Sequence, residues 1–268
     1  MVKYQQTQIE TLLKRDRALV LSGLVAISVL AWIYVLKMAL GMRNTNMGME
    51  MAMPHMHTWQ AFDLVMVFVM WTVMMIAMML PSASPMILTF ANMYRKRPNH
   101  DNLLVLTSAF LLGYLVVWTG FSALVSLAQL GLHSVALLSP MMVSTSPILG
   151  GSLLLFAGIF QLTPLKQACL SYCRSPIGFL MSEWREGIQG ALIMGFRHGI
   201  FCVGCCWILM LLLFVTGVMN LLWVAIISGF VLIEKLLPLG VWVGRVAGLL
   251  LIGLGIRVIL PSLLSVAS

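Results

Sequence analysis

The residues with the clearest capacity for chemistry lie in one segment, GFRHGIFCVGCC, at positions 195–206. If the segment is helical, His198, Cys202 and Cys206 follow one another at a spacing of four, and Cys205 lies three residues after Cys202. An imidazole and three thiols would then share one helix face, and both groups are ligands for Cu(I) or Zn(II). The spacing favours a metal or redox site over the alternative that buried cysteines only pack as small hydrophobic residues.

One helix cannot close a tetrahedral metal site, so further ligands must come from other segments. Cys169 and Cys173, also four residues apart, can supply them if their loop folds back toward the helix. Glu234 is another candidate ligand, although it could instead pair with the neighbouring Lys235 near the membrane surface. Arg197 is expected to favour the thiolate form of the nearby cysteines.

A second group of soft ligands lies in the segment MGMEMAMPHMH, at 47–57 between two long apolar runs. Its candidate metal ligands are Met47, Met49, Met51, Met53, His55, Met56 and His57. Thioether sulfur is a soft ligand that selects Cu(I) and has no proton to lose before binding. The alternative is that these methionines are flexible filler or lie against lipid headgroups.

The apolar run that follows adds an acidic residue and a row of methionines. Asp63 is a candidate ligand because an acidic group at membrane depth is often functional, although the helix dipole also explains its position. Met66, Met70, Met74 and Met78 are spaced by four, which permits a path for a soft ion. The same spacing is typical of ordinary packing between helices, and packing is the favoured interpretation.

The composition indicates a membrane protein. Of the 268 residues, 61% are hydrophobic and only 9% are charged, which is too little polar surface for a soluble domain. We predict an all-α fold, a polytopic transmembrane helical bundle that forms one domain over residues 1–268. The net charge of +8 comes from basic residues clustered in alternate loops, so nucleic acid is not an expected partner. Five cysteines confined to 169–206 do not indicate a secreted disulfide framework.

About seven spans are predicted from the apolar runs. They cover residues 18–40, 59–80, 102–128, 142–163, 188–216, 220–237 and 240–262. Pro81 and Pro85 are expected to mark the exit of the second span, and residues 187–199 either begin the fifth span or lie along the interface before it. The basic loops place the N-terminus in the cytoplasm. The location that we expect is the inner (plasma) membrane of a bacterium. The Met/His-rich loop 41–58 is then external, and the cysteine-containing loop before the fifth span is cytoplasmic.

The chain resembles a bacterial family described as predicted metal-binding integral membrane proteins, also called domain of unknown function 2182. The resemblance covers about residues 59–240, and it is carried by WTVMMIAMMLPSASP (71–85), QLTPLKQACLSYCRSP (161–176), GFRHGIFCVGCCWILM (195–210) and the stretch from GVMNLLWV through IEKLLP (217–238). It implies a multi-spanning fold and metal binding, without an established reaction. The site residues that it implies are Cys169, Cys173, His198, Cys202, Cys205, Cys206 and Glu234. The methionine loop precedes the matched region.

The leading hypothesis is a copper-handling protein of the lipid bilayer that captures, transports or delivers the ion to a membrane cuproenzyme, with zinc as the alternative metal. A second hypothesis is an accessory or assembly subunit of a larger membrane complex, in which sulfur serves packing. A third is a thiol-linked membrane oxidoreductase, which the lack of a CxxC pair disfavours. No nucleotide loop, catalytic triad or zincin motif is visible, so no catalytic residue is assigned and a non-enzymatic role is favoured.

Overall fold

Every regular element in the described part of the chain is an α-helix. The computed structural model describes residues 2–44, 61–95, 103–134, 146–218 and 220–267. Its helices are α1 (Val2–Asn44), α2 (Ala61–Arg95), α3 (Leu103–Ser134), α4 (Pro147–Leu162), α5 (Pro164–Arg174), α6 (Pro176–Glu183), α7 (Gly187–Leu211), α8 (Leu213–Thr216), α9 (Leu221–Leu236) and α10 (Gly240–Ala267). The predicted all-α helical bundle is therefore confirmed.

Within the described ranges, five helical stretches are long and apolar enough to cross a membrane. They are Ala18–Gly41, Phe62–Arg95, Leu103–Leu132, Gly187–Thr216 and Gly240–Pro261. Helices α4 and α5 pass the same test only as a pair, and they are bent by 64° at Thr163. Helix α9 has 16 residues, a length of about 24 Å that falls short of the ~30 Å bilayer core. Each predicted span contains a helix in its described part, while the spans as membrane crossings, their count of seven and the cytoplasmic N-terminus stay predictions.

Helix α2 continues past the prolines that are expected to end it. It extends to Arg95 with Pro81 and Pro85 inside it, so the predicted exit is wrong. A proline removes one backbone donor, and side chains can satisfy the freed carbonyl in a membrane helix. Ser84 Oγ donates to the carbonyl of Pro81 at 2.7 Å, which is the acceptor that Pro85 leaves without an N–H partner. The helix therefore stays intact through both prolines.

Helix α7 is continuous from Gly187 to Leu211, so residues 187–199 belong to the fifth predicted span. Gly113 of α3 and Gly195 of α7 lie where the two helices touch, and a Cβ on either would overlap a carbonyl oxygen of the facing helix. Small residues allow membrane helices to approach closely. This contact fixes α3 beside the segment that carries the cysteines.

The cysteine-containing segment before α7 is a helix rather than the expected loop. Helix α5 begins after Thr163, whose hydroxyl accepts a hydrogen bond from the backbone N–H of Lys166 at 3.3 Å. Pro164 occupies the first helical position. A backbone N–H at this position has no acceptor within the helix, so a proline there costs no hydrogen bond. Because α5 packs mainly against α7, it brings Cys169 and Cys173 to that span.

Candidate metal centre

Four thiols from two helices meet in the interior of the bundle. We name them the thiol group: Cys202, Cys205 and Cys206 on α7, and Cys173 on α5. The α7 cysteines are at most 1% exposed, and Cys173, which is half-buried, lies close to Cys202 and Cys205. Cys169 lies beside Gly204 of α7, where an added Cβ would be 2.9 Å from its sulfur. The structure thus brings all five cysteines to one helix contact, and all five are free thiols.

The thiols are turned toward the backbone of their own helix. Cys205 Sγ and Cys206 Sγ both donate to the carbonyl oxygen of Cys202, at 3.1 and 2.9 Å. Among the described residues, no three His, Cys, Asp or Glu side chains are placed so that they could hold a metal ion. A metal ion at the thiol group would therefore displace these thiol protons from the carbonyl, and at least one further side chain would have to move closer to the sulfurs.

A buried lysine contacts the thiol group. Lys235 Nζ donates to Cys202 Sγ at 3.0 Å and to Ser82 Oγ at 3.1 Å. An ammonium beside a cysteine favours the thiolate form. The sequence analysis expected this effect from Arg197 instead. Arg197 is exposed and forms an ion pair with Glu183. Lys235, and not Arg197, is thus the cation at the thiols.

Glu234 forms its ion pair with a different lysine from the one expected. Its Oε1 lies 2.5 Å from Lys166 Nζ, and both side chains are almost fully buried. Lys166 also donates to Gln161 Oε1. Glu234 and Lys235 are adjacent on α9, so their side chains point about 100° apart and do not face each other. The expected Glu234–Lys235 pair is therefore wrong, and one carboxylate oxygen is engaged by Lys166 rather than open to a metal.

His198 lies among aromatic rings one helical turn before Cys202. Its ring centroid is 5.5 Å from that of Tyr114 and 5.7 Å from that of Phe179. The residue is 2% exposed, and its Nδ1 has no hydrogen-bond partner in the described part of the chain. A buried ring nitrogen without a partner is unusual and is suited to metal binding. The Tyr114 hydroxyl lies 3.2 Å from Cys202 Sγ, so it links the histidine to the thiol group.

One family of known proteins matches the chain. A sequence model of the family PpoB2, described as a copper chaperone, matches residues 68–258, which is more than half of the chain. The chain belongs to this copper chaperone family. The match does not confirm the family name that the sequence resemblance indicated. A copper chaperone family is nevertheless a metal-handling family, as that resemblance implies. Comparison with curated proteins and with solved structures gives no match.

The range that matches the copper chaperone family includes the thiol group, His198, Glu234 and Lys235. It excludes the Met/His-rich loop, and the predicted ligands of that loop lie outside the described residues: Met47, Met49, Met51, Met53, His55, Met56 and His57. It also excludes Asp63, which is exposed in the first turn of α2. Asp63 is 16 residues before Met79, or about 24 Å along the helix axis. The structure therefore does not bring Asp63 to the thiol group.

Three residues at the thiol group of this copper chaperone family member were missed by sequence reasoning: Lys235, Tyr114 and Ser82. A lysine inside an apolar run is a usable indication of function, but the adjacent Glu234 offered a simpler explanation for it. Tyr114 and Ser82 lie in apolar helices with no neighbouring polar residue that points to a site. Their role depends on which helices are neighbours, and a single sequence does not specify that.

Proposed function

We propose that the protein is an integral protein of the bacterial inner membrane that binds Cu(I) at the thiol group and delivers it to a membrane cuproenzyme. The observation that carries the proposal is the packing of α5 on α7, which brings Cys173 to the three buried thiols of α7, with the buried imidazole of His198 one helical turn before them. Thiolates and imidazole select Cu(I) over hard cations. Membership of a copper chaperone family supports the same ion.

The charges at the site support a monovalent ion. Cu(I) bound by two thiolates carries a net charge of −1, and the ammonium of Lys235, at 3.0 Å from Cys202 Sγ, balances it. A buried site with zero net charge avoids the large desolvation cost of an unpaired charge. Lys235 is therefore compatible with bound copper. Its ammonium needs to move only far enough for Cys202 Sγ to bind the ion.

The delivery route that we propose begins at the external Met/His-rich loop 41–58. From there α2 leads inward, and its methionines are buried from Met70 onward. Met75 and Met79 follow one another at a spacing of four and lead to the thiol group, whereas Met74 lies about 140° away from Met79 around the helix and is not part of this route. Met66, nearer the start of the helix, is 47% exposed. A thioether binds Cu(I) without changing its charge, which suits transfer through an apolar interior.

Metal analysis of protein purified without oxygen in a mild detergent tests the proposal. We expect stoichiometric Cu(I), and we expect Cys202→Ser to weaken its binding by at least about tenfold, since even outer-shell changes at metal sites have effects of that size. Competition with a chromogenic Cu(I) chelator measures the affinity. Cys169→Ser is the matched control, because its thiol lies beside Gly204 and not in the hydrogen-bonded set, and it should bind Cu(I) almost as tightly as the unaltered protein.

Four outcomes distinguish the hypotheses. Unchanged copper content after serine replacement of all three α7 cysteines would overturn the inner site. Zinc retained in preference to copper would replace copper as the cargo. A reversible Cys173–Cys202 disulfide in metal-free protein would favour the thiol-linked oxidoreductase. Co-purification with a fixed partner at unit stoichiometry, without metal, would favour the accessory subunit.

A further inference from the structure

We infer that Met79 is an additional Cu(I) ligand at the thiol group, an inference that rests on the proposed function. Cys206 Sγ donates to Met79 Sδ at 3.8 Å, and both residues are 0% exposed. The contact joins α2 to α7 across 127 positions of the sequence. Met79 lies outside the spacing-four row of methionines, so the sequence pattern does not indicate it.

The sulfur–sulfur distance fits two ligands of one ion. With metal–sulfur bonds of about 2.3 Å, two ligands of a tetrahedral site lie about 3.8 Å apart, and those of a trigonal site lie about 4.0 Å apart. The observed separation of 3.8 Å needs no approach of the two helices. Cu(I) would take the place of the single thiol proton of Cys206, whose sulfur is within hydrogen-bonding distance of both Met79 Sδ and the Cys202 carbonyl oxygen.

The backbone around Met79 is fixed by the same residue that contacts Cys202. The Tyr114 hydroxyl lies 3.2 Å from Cys202 Sγ and 3.3 Å from the carbonyl oxygen of Met79. Ser82 Oγ also donates to that carbonyl, at 2.9 Å, and accepts from Lys235. The backbone that carries Met79 is therefore held by hydrogen bonds from residues that also contact Cys202 or Lys235.

The neutrality of the thioether gives it a specific role. Two thiolates, Cu(I) and the Lys235 ammonium already sum to zero charge, so a third thiolate would leave one buried negative charge unbalanced. A thioether adds a soft ligand without adding charge. Met79 thus completes the coordination of Cu(I). A divalent ion carries more charge and is stabilised less by a neutral thioether.

Met79→Leu and Met74→Leu form a matched pair for the test. Both methionines are buried on α2, but five residues of helix rotate the Met74 side chain about 140° away from that of Met79. By chelator competition under exclusion of oxygen, we expect Met79→Leu to weaken Cu(I) binding by at least about tenfold. We expect Met74→Leu to leave the affinity unchanged.

Selenomethionine labelling gives a second readout, which detects the ligand atom directly rather than through the affinity. In selenomethionine-labelled protein whose methionines at 47–56 are replaced by leucine, X-ray absorption at the copper edge should show a copper–selenium shell. That shell should persist in Met74→Leu and vanish in Met79→Leu. If copper binds with sulfur neighbours but without selenium, the inference on Met79 is wrong and the proposed function stands. If the unaltered protein binds no copper, the proposed function itself fails.

Discussion

Glu234→Gln should destabilise the protein because it breaks a buried ion pair. The carboxylate lies 2.5 Å from Lys166 Nζ, and the two side chains are 2% and 0% exposed. Removal of one partner of such a pair leaves an uncompensated buried charge, at a cost of about 3–5 kcal/mol. Gln161 Oε1 still accepts from Lys166 in the variant, so we expect the lower end, about 3 kcal/mol.

A double-mutant cycle measures this coupling. Unfolding by SDS in mixed micelles, followed by tryptophan fluorescence, gives the free energy of unfolding for Glu234→Gln, Lys166→Met and the double variant. Each single change should be strongly destabilising, whereas the double variant should lose much less than their sum, because no charge is left unpaired. Strictly additive losses would refute the assignment of a buried pair.

The same variants separate a structural role for Glu234 from metal binding. If the carboxylate serves Lys166, folded Glu234→Gln should keep its full copper content at temperatures where it remains native. Loss of copper from a variant with unaltered stability would show instead that Glu234 is a ligand, as the sequence resemblance implies.

Three further outcomes are expected in the same unfolding assay. Gly195→Ala should prevent close packing of α3 on α7 and abolish folding, whereas Gly120→Ala, with nothing within 4 Å of its Cβ position, should be tolerated; comparable stability of the two would contradict the packing. Trp71→Phe should cost about 1–3 kcal/mol by removing the buried 2.7 Å bond to Gln129, and no loss would show that the amide finds another donor. Arg174→Ala should cost about 1 kcal/mol, since the guanidinium donates to the carbonyls of Leu237 and Pro238, directly after α9; a neutral change would mean that water replaces it.

The local pattern of the sequence predicted the helices and the cysteine face. Apolar runs set the fold class, and the spacing from His198 to Cys206 placed the imidazole and the thiols on the buried side of α7. The contribution of Cys169 and Cys173 depended on whether their segment folds back, and in the structure α5 packs on α7. The helices and the cysteine face could be predicted because each depends on residues within one or two helical turns.

The pairing of charges could not be predicted from the same pattern. Glu234 and Lys166 are 68 positions apart, and Lys235 and Cys202 are 33 apart. Which helices are neighbours decides both contacts, and no periodicity encodes it. Proximity in sequence suggested a Glu234–Lys235 pair, although adjacent side chains on a helix diverge.

The prolines of α2 misled the prediction for a different reason. In water a proline within a helix usually marks its end. For this reason Pro81 and Pro85 indicate an exit of the second span. The serine that precedes Pro85 supplies the missing donor from its side chain. In the sequence SASP, the serine before the proline can donate to the carbonyl that the proline leaves unpaired. Recognising this would have predicted a helix that continues past Pro85.

If Cu(I) binds at the thiol group as proposed, the 64° bend at Thr163 has a consequence for how the ion leaves. Helix α5 is only 11 residues long and carries Cys173, whereas the other members of the thiol group belong to a long span. A small rotation of α5 about this bend would move the Cys173 sulfur away from the other thiols, while the long helices stay in place. An acceptor protein could then offer its own sulfur at the vacated position, so that the ion passes by stepwise exchange and is never released into lipid or water.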